Sequence, residues 1–129
     1  LAHKDQLVLS FVGDGGFMMS GQELATAAQY GATPIVLLFN NGIYGTIRMH
    51  QERDHPERIS GTTLINQDFC KMAEGYGAHA ERVTKTADFA AAFDRARASG
   101  RPALIELVTN PEQISTRTTI TKLRDAAKK

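Results

Sequence analysis

The sequence predicts an α/β fold built on a parallel sheet with helices on both faces. Three observations carry that prediction. Residues 7–12 ("LVLSFV"), 34–39 ("PIVLLF") and 103–108 ("ALIELV") are short, nearly continuous apolar runs, the pattern of strands buried on both faces of a sheet. Segments with apolar residues at helical spacing lie between them. Glycines and prolines at Gly31 and Pro34, at Gly77, and at Gly100 and Pro102 separate the two kinds of segment, as alternating strands and helices require.

Each element follows in order. The first strand, 7–12, ends at Gly13. Ser20 and Glu23 then form a Ser-x-x-Glu capping box for a helix whose stripe is Leu24, Ala27 and Ala28, and which Gly31 and Pro34 terminate. The second strand, 34–39, runs into Asn40-Asn41. An Asp-Gly pair such as Asp14-Gly15 is on its own a strong hairpin signal, but strand, glycine turn, helix and strand in that order make a parallel crossover. Residues 42–65 are rich in charge and weakly periodic, and are read as a long excursion over the sheet's edge, the kind of loop that often carries function. Asn66 or Asp68 caps the next helix, with Phe69, Met72, Ala73 and Tyr76 on one face and Gly77 closing it. A short strand follows at 79–83 ("HAERV"), then a helix capped by Thr86 with Phe89, Ala92, Phe93 and Ala96 on its apolar face, then the strand 103–108. Residues 111–129 are read as a connection and a short basic helix after the domain spanning 1–110. The chain opens on Leu1 with only residues 1–6 before the first predicted strand, so it is read as a piece of a longer polypeptide whose domain is cut on its amino-terminal side.

Composition narrows the function classes. The 129 residues carry 15 basic and 14 acidic side chains, so no large net field draws the chain to nucleic acid or to an anionic membrane, and any phosphate it binds must be held locally. Its apolar runs are far shorter than the roughly 20 residues that cross a bilayer, and no signal-peptide pattern is visible, so the expected location is the cytoplasm. A single cysteine, Cys70, excludes an internal disulfide and a multi-cysteine zinc site. Cys70 is read as an inert packed thiol, and Met18 and Met19 as filling the core or lying under a bound ligand.

Two stretches carry chemistry. Gly13-Asp14-Gly15-Gly16 and Asn40-Asn41-Gly42 fall at the carboxyl ends of strands joined by one crossover, where ligands sit on open parallel sheets. A carboxylate, an amide oxygen and a backbone carbonyl brought together there form a hard oxygen set suited to magnesium or calcium. Such a set is incomplete for magnesium and implies phosphate oxygens in the remaining positions, while the glycines let a phosphate approach the backbone and the helix amides. Either asparagine of the pair, Asn40 or Asn41, is placed to give the amide oxygen. A Gly-Asp-Gly-x-Asn-Asp phosphatase motif is excluded because Gly16, Phe17 and Met18 follow.

Gly13-Asp14-Gly15, a spacer from Gly16 to Phe39, and Asn40-Asn41 together resemble the signature of thiamine-diphosphate-dependent enzymes, in the subgroup of acetolactate synthases, 2-oxo acid decarboxylases and carboligases. The resemblance extends through "SGQELATAAQYG", "NNGIYGTIR" and "RPALIELV". It implies the thiamine-diphosphate-binding fold, with magnesium held by Asp14, Asn41 and the carbonyl of Ile43, and with the diphosphate contacted at Gly13, Gly15, Gly16 and Tyr44. It also implies a homodimer or homotetramer acting on a small 2-oxo acid. In that family Thr46, Ile47 and His50 occupy positions that narrow the substrate pocket; where acetolactate-forming members carry tryptophan this chain has His50, which sets acetolactate synthesis itself in question. His50 and His55 are otherwise read as solvated loop residues. The activating glutamate and the apolar wedge beneath the cofactor belong, in the family, to parts outside this sequence, so this stretch alone is expected to be catalytically silent. The alternative from another class is a non-catalytic, flavodoxin-like phosphate- or nucleotide-binding module.

Overall fold

The computed structural model describes residues 5–128. The elements in chain order are β1 (Leu9–Gly13), α1 (Asp14–Ser20), α2 (Glu23–Gln29), β2 (Ile35–Asn40), α3 (Gly45–Asp54), α4 (Phe69–Gly75), β3 (His79–Val83), α5 (Phe89–Ala98), β4 (Ala103–Val108) and α6 (Ile120–Ala127). They fall into two units. One runs through Asn40 and resumes over Asn66–Val108; the other comprises Asn41–Ile65 and the stretch from Thr109 onward.

The first unit holds a four-stranded parallel sheet in the order β1-β2-β4-β3. Alternation along each strand divides its side chains between two helical layers. Val36, Leu38 and Leu104 point to one face and pack with Phe17 of α1, Leu24 of α2, and Phe69 and Ala73 of α4. Ile35, Leu37, Val83, Ala103 and Ile105 point to the other and pack with Ala92 and Ala96 of α5. The expected α/β architecture with helices on both faces is present, and the strands at 35–40, 79–83 and 103–108 match the sequence reading closely.

The first strand departs from that reading. It was predicted to be buried on both faces, yet Leu9 and Phe11 are exposed, Phe11 at 67%. The reason is position: among the described residues β1 is an edge strand, paired only with β2, and the apolar cluster under α5 draws on β2, β3 and β4 but not on β1. Phe11 instead stacks on Phe39, with ring centroids 6.4 Å apart.

The helical caps also differ. No capping box forms at Ser20, which is the last residue of α1; α2 starts after Gln22, and the Glu23 carboxylate accepts from the Thr26 hydroxyl at 2.9 Å. The predicted helix is α2, and the stretch before it, read as a glycine turn, is itself helical as α1; the two are broken at buried Gly21, where a β-carbon would lie 2.6 Å from the Phe17 ring. Met18 and Met19 are exposed and form no part of the core among the described residues. Thr86 caps nothing: it opens a short 3₁₀ turn, Thr86–Asp88, from which α5 continues. At α4 the prediction holds, because Asp68 accepts from the Lys71 amide at 3.2 Å and Gly77, at φ 83°, ends the helix with its amide on the Glu74 carbonyl.

The second unit contains α3 within the stretch read as a loop. Its helix is polar almost all round, which is why its periodicity is weak. The buried carboxylate of Glu52 accepts a two-pronged pair from Arg124 of α6, at 2.8 and 2.6 Å, and the Glu57 amide at 2.9 Å. The predicted basic helix in the tail is α6, capped by Thr119 through the Lys122 amide.

Candidate functional site

The carboxyl edge of the sheet carries a polar layer above the apolar core of the first unit. Pairing of Gly13 with Phe39 brings β1 and β2 to the same level, so Asp14 and Asn40 leave the sheet side by side. Asp14 is the first residue of α1 and is buried, 3% exposed. A buried carboxylate needs hydrogen-bond donors. Its Oδ1 accepts from the Gly15 amide at 2.9 Å and its Oδ2 from Asn66 Nδ2 at 2.7 Å. The same Asn66 nitrogen donates to Asn40 Oδ1 at 2.9 Å, and Asn40 Nδ2 donates to Glu106 Oε1 at 2.7 Å.

Glu106 is the polar member of the apolar run in β4, and it is almost fully buried. Its strand alternation turns it toward the α4 side, where Arg82, its register partner on β3, donates from Nε to Oε2 at 2.7 Å. Arg82 also donates to Asp68 at 3.1 Å, and the pairing with Glu106 raises the guanidinium's pKa further. The Cys70 thiol meets Glu106 Oε2 at 3.6 Å. Burial, reinforced by the Glu106 charge, pushes the Cys70 thiol up to about 11, which agrees with an inert thiol.

The remaining predicted site residues lie in the second unit. Asn41 Oδ1 accepts from the Ile43 amide at 3.1 Å, an Asx turn that fixes the side chain, and Gly42 takes φ 69°, a conformation suited to glycine. Ile43 bridges to Thr63, and the Tyr44 amide donates to the Thr62 carbonyl. Thr46, Ile47 and His50 are exposed on α3, at the spacing of one helical face, and His55 is exposed just beyond it.

The donor chemistry suits the expected cation. Each unit offers hard oxygens already oriented by amides: the Asp14 carboxylate in one and the Asn41 amide oxygen in the other. Gly13 is exposed, and a β-carbon there would meet nothing within 4 Å, so the backbone beside Asp14 is open to a ligand. Among the described residues no three His, Cys, Asp or Glu side chains gather as a metal site of another kind.

Two residues of this network were missed from sequence as site members. Asn66 was weighed only as a helix cap; it instead bridges Asp14 and Asn40. Glu106 was counted as part of a strand, although a charge inside a core run is itself the signal, since it must find buried partners.

A parallel sheet with a buried polar network at its carboxyl edge has the build of the α/β domains that take ligands there. Comparison with known proteins gives the family. Residues 1–107 match the model of the thiamine pyrophosphate enzyme C-terminal TPP-binding domain, and the chain belongs to that family. It is 37% identical over 122 residues to a 3D-(3,5/4)-trihydroxycyclohexane-1,2-dione hydrolase from Bacillus velezensis, covering 89% of this chain and 19% of that protein. It is 38% identical over 114 residues to the acetolactate synthase large subunit of Corynebacterium glutamicum, covering 84% of this chain and 18% of that protein. Among solved structures it resembles a thiamine diphosphate-dependent 4-hydroxybenzoylformate decarboxylase from Rhodococcus jostii, with a TM-score of 0.76 and 35% identity over 82% of this chain and 20% of that one. The chain thus spans about a fifth of the length of these relatives. Among the described residues no helix is long and apolar enough to cross a membrane.

Proposed function

We propose that this chain is the magnesium- and diphosphate-binding part of a thiamine-diphosphate-dependent 2-oxo acid decarboxylase or carboligase related to acetolactate synthase. The observation that carries the reading is a buried Asp14 carboxylate, aligned by two donors, beside an open glycine backbone in a domain of the TPP-binding family. Asp14 and Asn41 give side-chain oxygens to magnesium and Ile43 its carbonyl. Backbone at Gly13, Gly15, Gly16 and Tyr44 receives the diphosphate. Bound thiamine diphosphate supplies the carbanion-stabilising centre; the residues of this chain hold and orient its diphosphate end.

One relative's name supports the substrate class, since benzoylformate is a 2-oxo acid; the cyclic 1,2-dione of another shares with it only the adjacent carbonyl carbons. Thr46, Ile47 and His50 are the residues proposed to face that substrate. The working enzyme is proposed to be a cytoplasmic homodimer or homotetramer, with this stretch alone inactive because the activating glutamate lies elsewhere.

Titration calorimetry with thiamine diphosphate, with and without magnesium, tests the cofactor assignment. Binding that requires magnesium, and that Asp14→Ala weakens by at least the roughly 10–100-fold that losing even an outer-shell partner costs, is the expected outcome. Binding that is independent of magnesium, or equally tight for a nucleoside diphosphate, overturns it in favour of a flavodoxin-like module.

A further inference from the structure

We propose that Glu106, Asn40 and Asn66 form a relay of fixed hydrogen-bond direction that orients the Asp14 carboxylate, so that Glu106 and Asn66 are positioning residues for the magnesium site. The proposal rests on Asp14 being a magnesium ligand.

The argument starts from what each group is able to do. Ionised Glu106 only accepts, and Arg82 only donates. Arg82 Nε occupies Oε2 at 2.7 Å, and Oε1 takes the Nδ2 of Asn40 at 2.7 Å. With its amino group turned toward Glu106, Asn40 presents Oδ1 in the other direction, where it accepts from Asn66 at 2.9 Å. Asn66 must then turn its own amino group to this side, and that nitrogen's second hydrogen goes to Asp14 Oδ2 at 2.7 Å. One charge within β4 therefore dictates the sense of these three bonds, up to the carboxylate beside β1. Glu106 and Asp14 are both buried, at 1% and 3% exposure, so water competes poorly at either end.

An isosteric change separates direction from size. In Glu106→Gln the donor Arg82 retains the glutamine oxygen, which leaves the glutamine amino group facing Asn40. Asn40 then has to turn over, Asn66 after it, and an amide oxygen comes to lie against Asp14 Oδ2. Removing Arg82 as well, in Glu106→Gln with Arg82→Met, lets the glutamine give its oxygen to Asn40 and restores the original sense.

The experiment is a magnesium titration of the purified full chain at fixed thiamine diphosphate, followed by near-UV circular dichroism, with cofactor-free melting measured for each variant. Glu106→Gln and Asn66→Ala are expected to raise the magnesium half-saturation by about tenfold or more, the usual effect of losing a group that orients a metal ligand. The double variant is expected to recover most of that loss, even though losing the Arg82 ion pairs lowers its melting temperature. A merely structural role predicts the opposite order, with the double variant worse than the single one. That order, or an unchanged half-saturation in Glu106→Gln, overturns the relay. Should Glu106→Gln fail to fold, an unchanged half-saturation in Asn66→Ala overturns it equally. Absence of magnesium-dependent binding in the wild-type protein instead overturns the assignment of Asp14, and the relay with it.

Discussion

Cys70 shows how one residue's chemistry is decided by its neighbours. Its thiol is partly buried beside the Glu106 carboxylate, and both burial and that charge oppose formation of the thiolate, pushing it up to about 11. Because only the thiolate alkylates, iodoacetamide at pH 8 should label the native protein far more slowly than the protein in denaturant, where the thiol returns to roughly 8.5. Equal rates in the two states would show that the thiol is not held this way. The same scale shows what sequence reveals and what it hides. Asp14-Gly15 alone reads as a turn; Asp14 was legible as a site candidate only because Asn40-Asn41 stands at the end of the next strand. Asn66 was not, because its role depends on bonds to residues 52 positions earlier and 26 positions earlier, which no local pattern encodes. The role of Asn40 likewise becomes visible only once Glu106 is placed opposite it.

At the scale of elements, what terminates a helix was easier to read than what starts one. Gly77 and the Asp68 cap frame α4 as expected, since each acts through backbone geometry within a few residues. The start of α1 was missed because Asp-Gly-Gly is a poor helix sequence; burial of Phe17 against Phe69, ring centroids 5.6 Å apart, anchors it instead. α3 was missed for a related reason. A mostly polar helix shows no stripe, and Glu52, its buried residue, is held by a pair with α6. That pair makes a testable contribution to stability. The Arg124 hydrogen bonds, opposed by burial, hold the Glu52 carboxyl down at about 2, against 4.5 for the ordinary group. A depressed folded-state value means the contribution is complete above about pH 4.5 and is lost as pH falls toward 2. Glu52→Gln should therefore cost on the order of 1–3 kcal/mol at pH 7, the range for losing hydrogen bonds to a charged group, since Glu52 is buried while Arg124 stays partly exposed. Melting curves of wild type and variant should converge between pH 4.5 and pH 2. A gap that stays constant over that range would mean that shape, and not charge, joins the two helices.

At the scale of the whole molecule, the order of strands was the least legible feature. Parallel pairing and crossover direction follow from local rules, but that β4 lies between β2 and β3, leaving β1 at an edge, depends on pairings across the chain. This is why "LVLSFV", apolar enough for a central strand, has exposed side chains here. The proposed function makes one demand on the folded molecule as a whole. A ligand that binds only the native state stabilises it by mass action, by about 2.7 kcal/mol at a hundred times its dissociation constant. If Asp14 holds the magnesium that carries the diphosphate, neither magnesium alone nor thiamine diphosphate alone supplies that gain, since a carboxylate does not hold a diphosphate directly. The melting temperature of the full chain should rise only when both are present, fall back when the metal is chelated with EDTA, and fail to rise in Asp14→Ala under any condition. A rise with thiamine diphosphate that persists in EDTA would show that the diphosphate is held without the metal, and Asp14 would then need a different role.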